Sequence, residues 1–181
     1  MYFYNYLHKI ELRVKELLEK HNITSPSIPI KKIVKDLEIN LVSYDFGTEN
    51  EISGMLVIEN GVGIIGYNPN NSKQRQRFTI AHELGHYLLH NNSKNEVFVD
   101  KDFIVKYRSD KSYSPTEIRQ EQEANAFAAE LLMPKHMLLA ELEKKDYKAM
   151  TEAEFIKTMA KIFEVSIPAM TFRVTNANLF F

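Results

Sequence analysis

Apolar side chains recur through residues 5–21 at Leu7, Ile10, Val14, Leu17 and Leu18, a helical spacing with charged residues on the opposite face. The two prolines of ITSPSIPI break that helix, and IKKIVKDLEI restarts a shorter one. NLVSYDF reads as a strand followed by the polar turn GTENE. Two β-rich runs, Met55–Ile58 and Val62–Tyr67, flank Asn60-Gly61, a pair favoured in two-residue hairpin turns because both positions need positive φ. NPNNS ends the second run, Ser72 is placed to cap a helix containing residues 73–90, and HNNSKN stops it. Residues 93–113 are polar and mixed, with one weakly strand-like piece, FIVKY, and read as the most mobile connection. Ser114, Pro115 and Glu117 form a capping box whose helix should end near Leu132, before Pro134. Two more helices are predicted near 135–145 and 152–163, followed by VSIPAMTFRV. With no repeat and no sharp boundary, the pattern predicts one α+β domain, mainly helical with a small sheet.

The helix over 73–90 carries the unusual chemistry. RFTIAHELGHYLLH sets His82, Glu83, His86 and His90 into an otherwise apolar segment, and a core helix gains nothing from imidazoles that each need a polar partner. HELGH matches H-E-x-x-H. Residues four apart share a helix face about 5.4 Å along the axis, so His82 and His86 can both reach one ion at about 2.0–2.1 Å. Glu83 is then placed to take a proton from a water that the ion activates. A catalytic zinc wants a third protein ligand. His90 lies about 12 Å along the axis from His82, too far to share that ion, and reads as a supporting or packing residue. A chain reversal after the second histidine is not encoded either: Leu89 stands where a glycine would be needed and Asn92 where a third histidine would fall.

EQEANAFAAELLMP supplies the ligand instead. Glu121 and Glu123 point about 200° apart around a helix, so only one of them can face the metal. Spacing favours Glu121, whose i+4 neighbour is Asn125, able to fix the tautomer of a ligand imidazole; that of Glu123 is Phe127. The small residues Ala124, Ala128 and Ala129 would let this helix pack closely on the HELGH helix.

Composition narrows the chemistry further. The chain of 181 residues has no cysteine, which removes thiolate zinc sites, disulfides and cysteine nucleophiles and leaves imidazole and carboxylate as ligands. A balance of 23 basic against 24 acidic side chains gives no field to drive binding to nucleic acid or anionic lipid. The first residues lack the pattern of a signal peptide, and no uncharged apolar run approaches the ~18 residues of a membrane span, so a cytoplasmic protein with no membrane partner is expected. KQRQR at 73–77 reads as a solvated helix start rather than a nucleic-acid patch.

RFTIAHELGHYLLH followed by EQEANAFAAELLMP closely resembles the paired signature of the ImmA/IrrE family of metallopeptidases, and the similarity extends over roughly residues 30–175. The resemblance implies a zincin-like fold with a glutamate as third ligand (gluzincin-like), hence His82, His86 and Glu121 on Zn2+ with Glu83 as base. The whole chain, 1–181, then forms a single metallopeptidase-like domain: N-terminal helices 1–40, hairpin and HExxH helix 41–92, third-ligand helix 114–133 and C-terminal helical segment 134–181. It also implies a zinc-dependent intracellular endopeptidase that cleaves a helix-turn-helix transcriptional repressor of a mobile element or stress response.

The oxyanion donor is open among Tyr107, Tyr113, His136 and arginines, and one edge of the 54–67 hairpin is expected to hold an extended substrate by strand addition. Two other classes stand beside the enzyme: a zinc-containing interaction module that cuts nothing, and a DNA-binding regulator suggested by MAKIFEVSIPAMTFRV. That segment has no basic side chain from Val165 to Met170, which favours helical packing at the C-terminus. The aromatic ends (Tyr2, Phe3, Tyr4, Tyr6; Phe172, Phe180, Phe181) suit core packing and partner contact equally.

Overall fold

The computed structural model describes residues 2–46, 52–90, 96–101, 114–144, 147 and 150–176. Helix α1 (Tyr2–Lys20) follows the first apolar stripe, burying Ile10, Val14, Leu17 and Leu18 and leaving Leu7 exposed. Then come α2 (Ile30–Asp36), β1 (Asn40–Ser43), the hairpin β2 (Ile52–Glu59) and β3 (Val62–Tyr67), α3 (Lys73–His90) and β4 (Glu96–Lys101). Helices α4 (Pro115–Leu132), α5 (Lys135–Lys144), α6 (Glu152–Phe163) and α7 (Ile167–Asn176) complete the order. The fold is α+β, mostly helical with a four-stranded mixed sheet. Two compact units divide it, Met1–Ile28 with Ala129–Phe181, and Pro29–Ala128. Among the described residues no helix is long and apolar enough to cross a membrane.

Local chemistry sets the element ends. Asn60 (φ 52°) and Gly61 (φ 83°) make the tight hairpin turn with both residues in the left-handed region. Ser72 Oγ accepts from the Arg75 amide at 3.2 Å at the start of α3. At α4 the Ser114 amide donates to Glu117 Oε2 at 2.7 Å while the Glu117 amide donates to Ser114 Oγ at 3.2 Å, the reciprocal box the sequence encodes. A second box, Thr151 with Glu154, opens α6, and Glu164 in the left-handed region closes it. VSIPAMTFRV folds into α7, and its one arginine is committed internally: Arg173 Nε donates to the Met133 carbonyl at 3.0 Å and its guanidinium pairs with Glu130.

The strand order is β1-β3-β2-β4, with β1 parallel to β3 and β2 antiparallel to both β3 and β4. The hairpin strands are therefore interior, and the expectation of a free hairpin edge is corrected; among the described strands the outer edges are those of β1 and β4. β4 is not among the elements the sequence predicts. Its core, Val97-Phe98-Val99, is three apolar residues between charges, short enough to be lost in a polar stretch. FIVKY lies outside the described residues.

A break in register between β2 and β4 leaves Ser53 as the extra residue between Ile52 and Gly54. Arg75 of α3 holds that bulge, donating to Ser53 Oγ from Nε at 3.1 Å and Nη2 at 2.7 Å. The KQRQR run is thus only partly solvated, because Arg75 turns inward. Leu56, Ile58 and Ile65 of the sheet and Ile80 and Leu84 of α3 are buried where sheet and helix pack. At Gly54 the strand comes so near α3 that a Cβ would lie 2.2 Å from Thr79 Cγ2 and 2.9 Å from the Gly66 carbonyl oxygen. Gly54→Ala is expected to cost about 1–3 kcal/mol by overpacking; urea unfolding at wild-type stability would show that β2 can back away from α3.

Candidate metal centre

His82 and His86 lie one turn apart on the buried face of α3, and their Nε2 atoms are 3.1 Å apart. Glu121 of α4 approaches both, Oε2 at 3.5 Å from His82 Nε2 and Oε1 at 3.4 Å from His86 Nε2. Donors bound tetrahedrally at about 2.0–2.1 Å stand about 3.3 Å from one another, so these spacings fit one shared ion. The donor chemistry fits as well. Two imidazole nitrogens and a carboxylate turned on one point are a donor set that takes a divalent cation when the neutral rings present their Nε2 lone pairs. All three ligand atoms lie within 4.8 Å of one another. Glu121 keeps 25% of its side chain exposed against 2% and 1% for the histidines, so solvent reaches the cluster from the α4 side.

The helices meet this closely because of Gly85, inside HELGH. A Cβ there would stand 3.2 Å from Ala124 Cα, 3.2 Å from Phe127 Cδ1 and 3.3 Å from the Ala124 carbonyl oxygen. Ala124, Phe127 and Ala128 are buried, as the small-residue pattern leads one to expect.

The two imidazoles are oriented by different means. His82 Nδ1 lies 3.1 Å from Asn125 Oδ1, and donating there leaves the Nε2 lone pair for the site. His86 has no hydrogen-bond partner on Nδ1; its ring stacks on Phe98 of β4, centroids 4.6 Å apart and planes at 22°. Burial is the main cause that pushes the His86 pKa down to about 4, against the opposing pull of its hydrogen bond to Glu121. The ring is therefore neutral near pH 7, the state that can ligate. Phe98 is the residue at the site that sequence reasoning missed, since it lies on the strand that was itself not anticipated.

Glu83, between the two histidines, is wholly buried, with Oε1 3.6 Å from the position a Gly54 Cβ would take. Glu123 turns elsewhere: it accepts from Arg119 Nε at 2.7 Å and lies 3.7 Å from His90 Nε2. His90 is buried, its ring centroid 5.6 Å from that of His86. Of the oxyanion candidates, Tyr107 and Tyr113 lie outside the described residues, and His136 is exposed at the start of α5.

Fold and site together define an α+β domain with a His-His-Glu cluster shared by two closely packed helices. The model of the family Peptidase_M78, the IrrE N-terminal-like domain, matches residues 34–175, and the chain belongs to that family. It is 31% identical over 163 residues to the phage-like element PBSX protein XkdA of Bacillus subtilis (strain 168), covering 90% of this chain and 69% of that protein. It is 28% identical over 129 residues to the metallopeptidase ImmA of the same organism, covering 71% of this chain and 66% of the relative. An uncharacterized immunity region protein 2 of Bacillus phage phi105 is 26% identical over 127 residues, 69% of this chain and 68% of its own. A Mycobacterium tuberculosis transcriptional regulator shares the fold, with TM-score 0.63 and 16% identity over 94% of this chain and 48% of that one.

The buried neutral histidine makes the metal-free protein acid-sensitive. His86 binds its proton at pH near 6.5 when unfolded and only near 4 when folded, so the unfolded state takes up the proton first as pH falls. Its contribution to stability is complete above pH 6.5 and is lost toward pH 4, up to about 3 kcal/mol. Urea midpoints of the metal-free chain at pH 7 and pH 4.5 measure this; equal midpoints would contradict a buried neutral ring.

Proposed function

We propose that this chain is a zinc-dependent endopeptidase that acts in the cytoplasm and cuts a helix-turn-helix transcriptional repressor at a specific site, relieving repression of a mobile element or a stress response. The observation that carries the reading is the convergence of His82 Nε2, His86 Nε2 and the Glu121 carboxylate, with the buried Glu83 on the same helix. His82, His86 and Glu121 would hold the ion; two imidazoles and one carboxylate suit zinc and leave a fourth position open. A divalent cation bound there would act as a Lewis acid on water and on a scissile carbonyl. Glu83 takes the proton of the attacking water and returns it to the leaving amine. Asn125 and Phe98 keep the two imidazoles turned toward the cluster.

The substrate class is supported by the relatives, one named a metallopeptidase and two named for a phage-like element and an immunity region. For holding an extended peptide, the edge of β4 replaces the hairpin edge, since Phe98 joins that strand to His86.

The test uses zinc-loaded wild type, Glu83→Gln, Glu121→Ala and Glu123→Ala. Each is incubated with helix-turn-helix repressors of the same genome and read by metal content and fragment mass. Wild type should hold near one zinc per chain and yield two fragments. Glu83→Gln should keep the zinc and cut at least ~100-fold more slowly. Zinc should be lost from Glu121→Ala and kept in Glu123→Ala. A wild type without zinc sinks the reading, and repressor binding without any fragment would favour the non-cleaving module.

A further inference from the structure

His90 is a buried imidazole that the proposed chemistry does not use, and Glu123 is an acid that the ligand set leaves out. Both lie where α4 crosses α3. Each residue turns a helix by about 100°. On α4 this puts Ala124 in the middle of the contact with Gly85, Glu121 on one flank and Glu123 on the other. The two acids therefore straddle the contact. Glu121 reaches back to His82 and His86, and Glu123 reaches back to His90, one further turn along the same stripe of α3.

His90 grips α4 at more than one point. Its ring makes a backbone hydrogen bond with Gln120, the residue just before Glu121. Its Nε2 faces the Glu123 carboxylate at 3.7 Å. The carboxylate is itself fixed from the solvent side, where Arg119 Nε donates to Oε1 at 2.7 Å. Glu123 is nearly buried, its side chain 13% exposed, so turning it away from these partners would cost it their compensation. Rolling α4 about its own axis to withdraw Glu121 from the imidazoles would break the Gln120 bond and drive Glu123 across His90.

We propose that His90, with Glu123 and Arg119, is a positioning clamp that fixes the roll of α4 on α3 and so holds Glu121 at the two ligand imidazoles. None of the three touches the ion or the substrate. The proposal rests on the His-His-Glu reading of the site and assigns the roles left over by it: Glu123 is the counterweight to the third ligand.

Cobalt(II) titration of metal-free protein tests it, with the visible absorption of the bound ion reporting its coordination. The proteins compared are wild type, Glu121→Ala, His90→Phe, which keeps an aromatic ring beside His86, and His90→Asn, whose amide nitrogen stands near the place of Nδ1. His90→Phe should bind cobalt about 10–100-fold more weakly than wild type and shift the visible band toward that of Glu121→Ala. His90→Asn should recover most of the affinity, and circular dichroism should report the same metal-free fold for all four. Wild-type affinity in His90→Phe, beside a defective Glu121→Ala, overturns the clamp and leaves the metal reading standing. An Asn variant as weak as the Phe variant also overturns it, because ring packing would then be the cause. No cobalt on the wild type overturns both. Should His90→Phe fail to fold, Glu123→Gln takes its place in the titration: several-fold weaker binding is expected, and wild-type affinity rejects the clamp.

Discussion

Between Gly85 and Ala124 the backbones of α3 and α4 meet with almost nothing between them, a Cβ on the glycine falling 3.2 Å from the alanine Cα. That distance fixes what the facing side chains can do. One turn before Ala124, Glu121 reaches both imidazoles at 3.4 and 3.5 Å. A glutamate side chain cannot make up for helices held a side chain further apart, so Gly85 is as much a part of the candidate site as the histidines around it. The middle of the H-E-x-x-H pattern is otherwise unconstrained by metal chemistry; here packing constrains it.

Close packing also sets the electrostatics. Burying two imidazoles and a glutamate is unfavourable unless each polar atom is compensated. His82 finds Asn125, and Glu121 faces both rings and solvent. His86 is left with stacking alone on its Nδ1 side, and burial pushes its pKa down. Around the cluster Ile80, Leu84, Phe127 and Leu56 are buried, so its polar atoms sit against an apolar wall.

Much of this was legible in the chain. The 73–90 helix, the hairpin with its Asn-Gly turn, the Ser114 capping box and the helix at 152–163 all rest on local signals a few residues long, and the structure reproduces them. The approach of Glu121 rather than Glu123 to His82 and His86 was also readable, because helix geometry allows only one of them that face and Asn125 marks which. Pairing order was not. That β1 lies parallel to β3 and that β2 takes β4 on its other side depends on contacts distant in sequence. An edge strand of three apolar residues leaves no periodicity to read. The inward turn of Arg75 was hidden for the same reason, since its partner Ser53 matters only because a bulge turns it toward the helix.

The strand that escaped the sequence is the one that ties the sheet to the site. β4 supplies Phe98, stacked on His86, and its pairing with β2 carries the bulge at Ser53. A bulge bends its strand and sharpens the local twist. On β2 the bend falls next to Gly54, where the backbone presses on Thr79 and lies over the Glu83 carboxylate. The irregularity in the ladder thus lies beside three features: the anchor of α3 through Arg75, the cover over the proposed base, and the pairing of β2 with the edge strand that carries Phe98. The sheet is small, but its defect lies beside the candidate site.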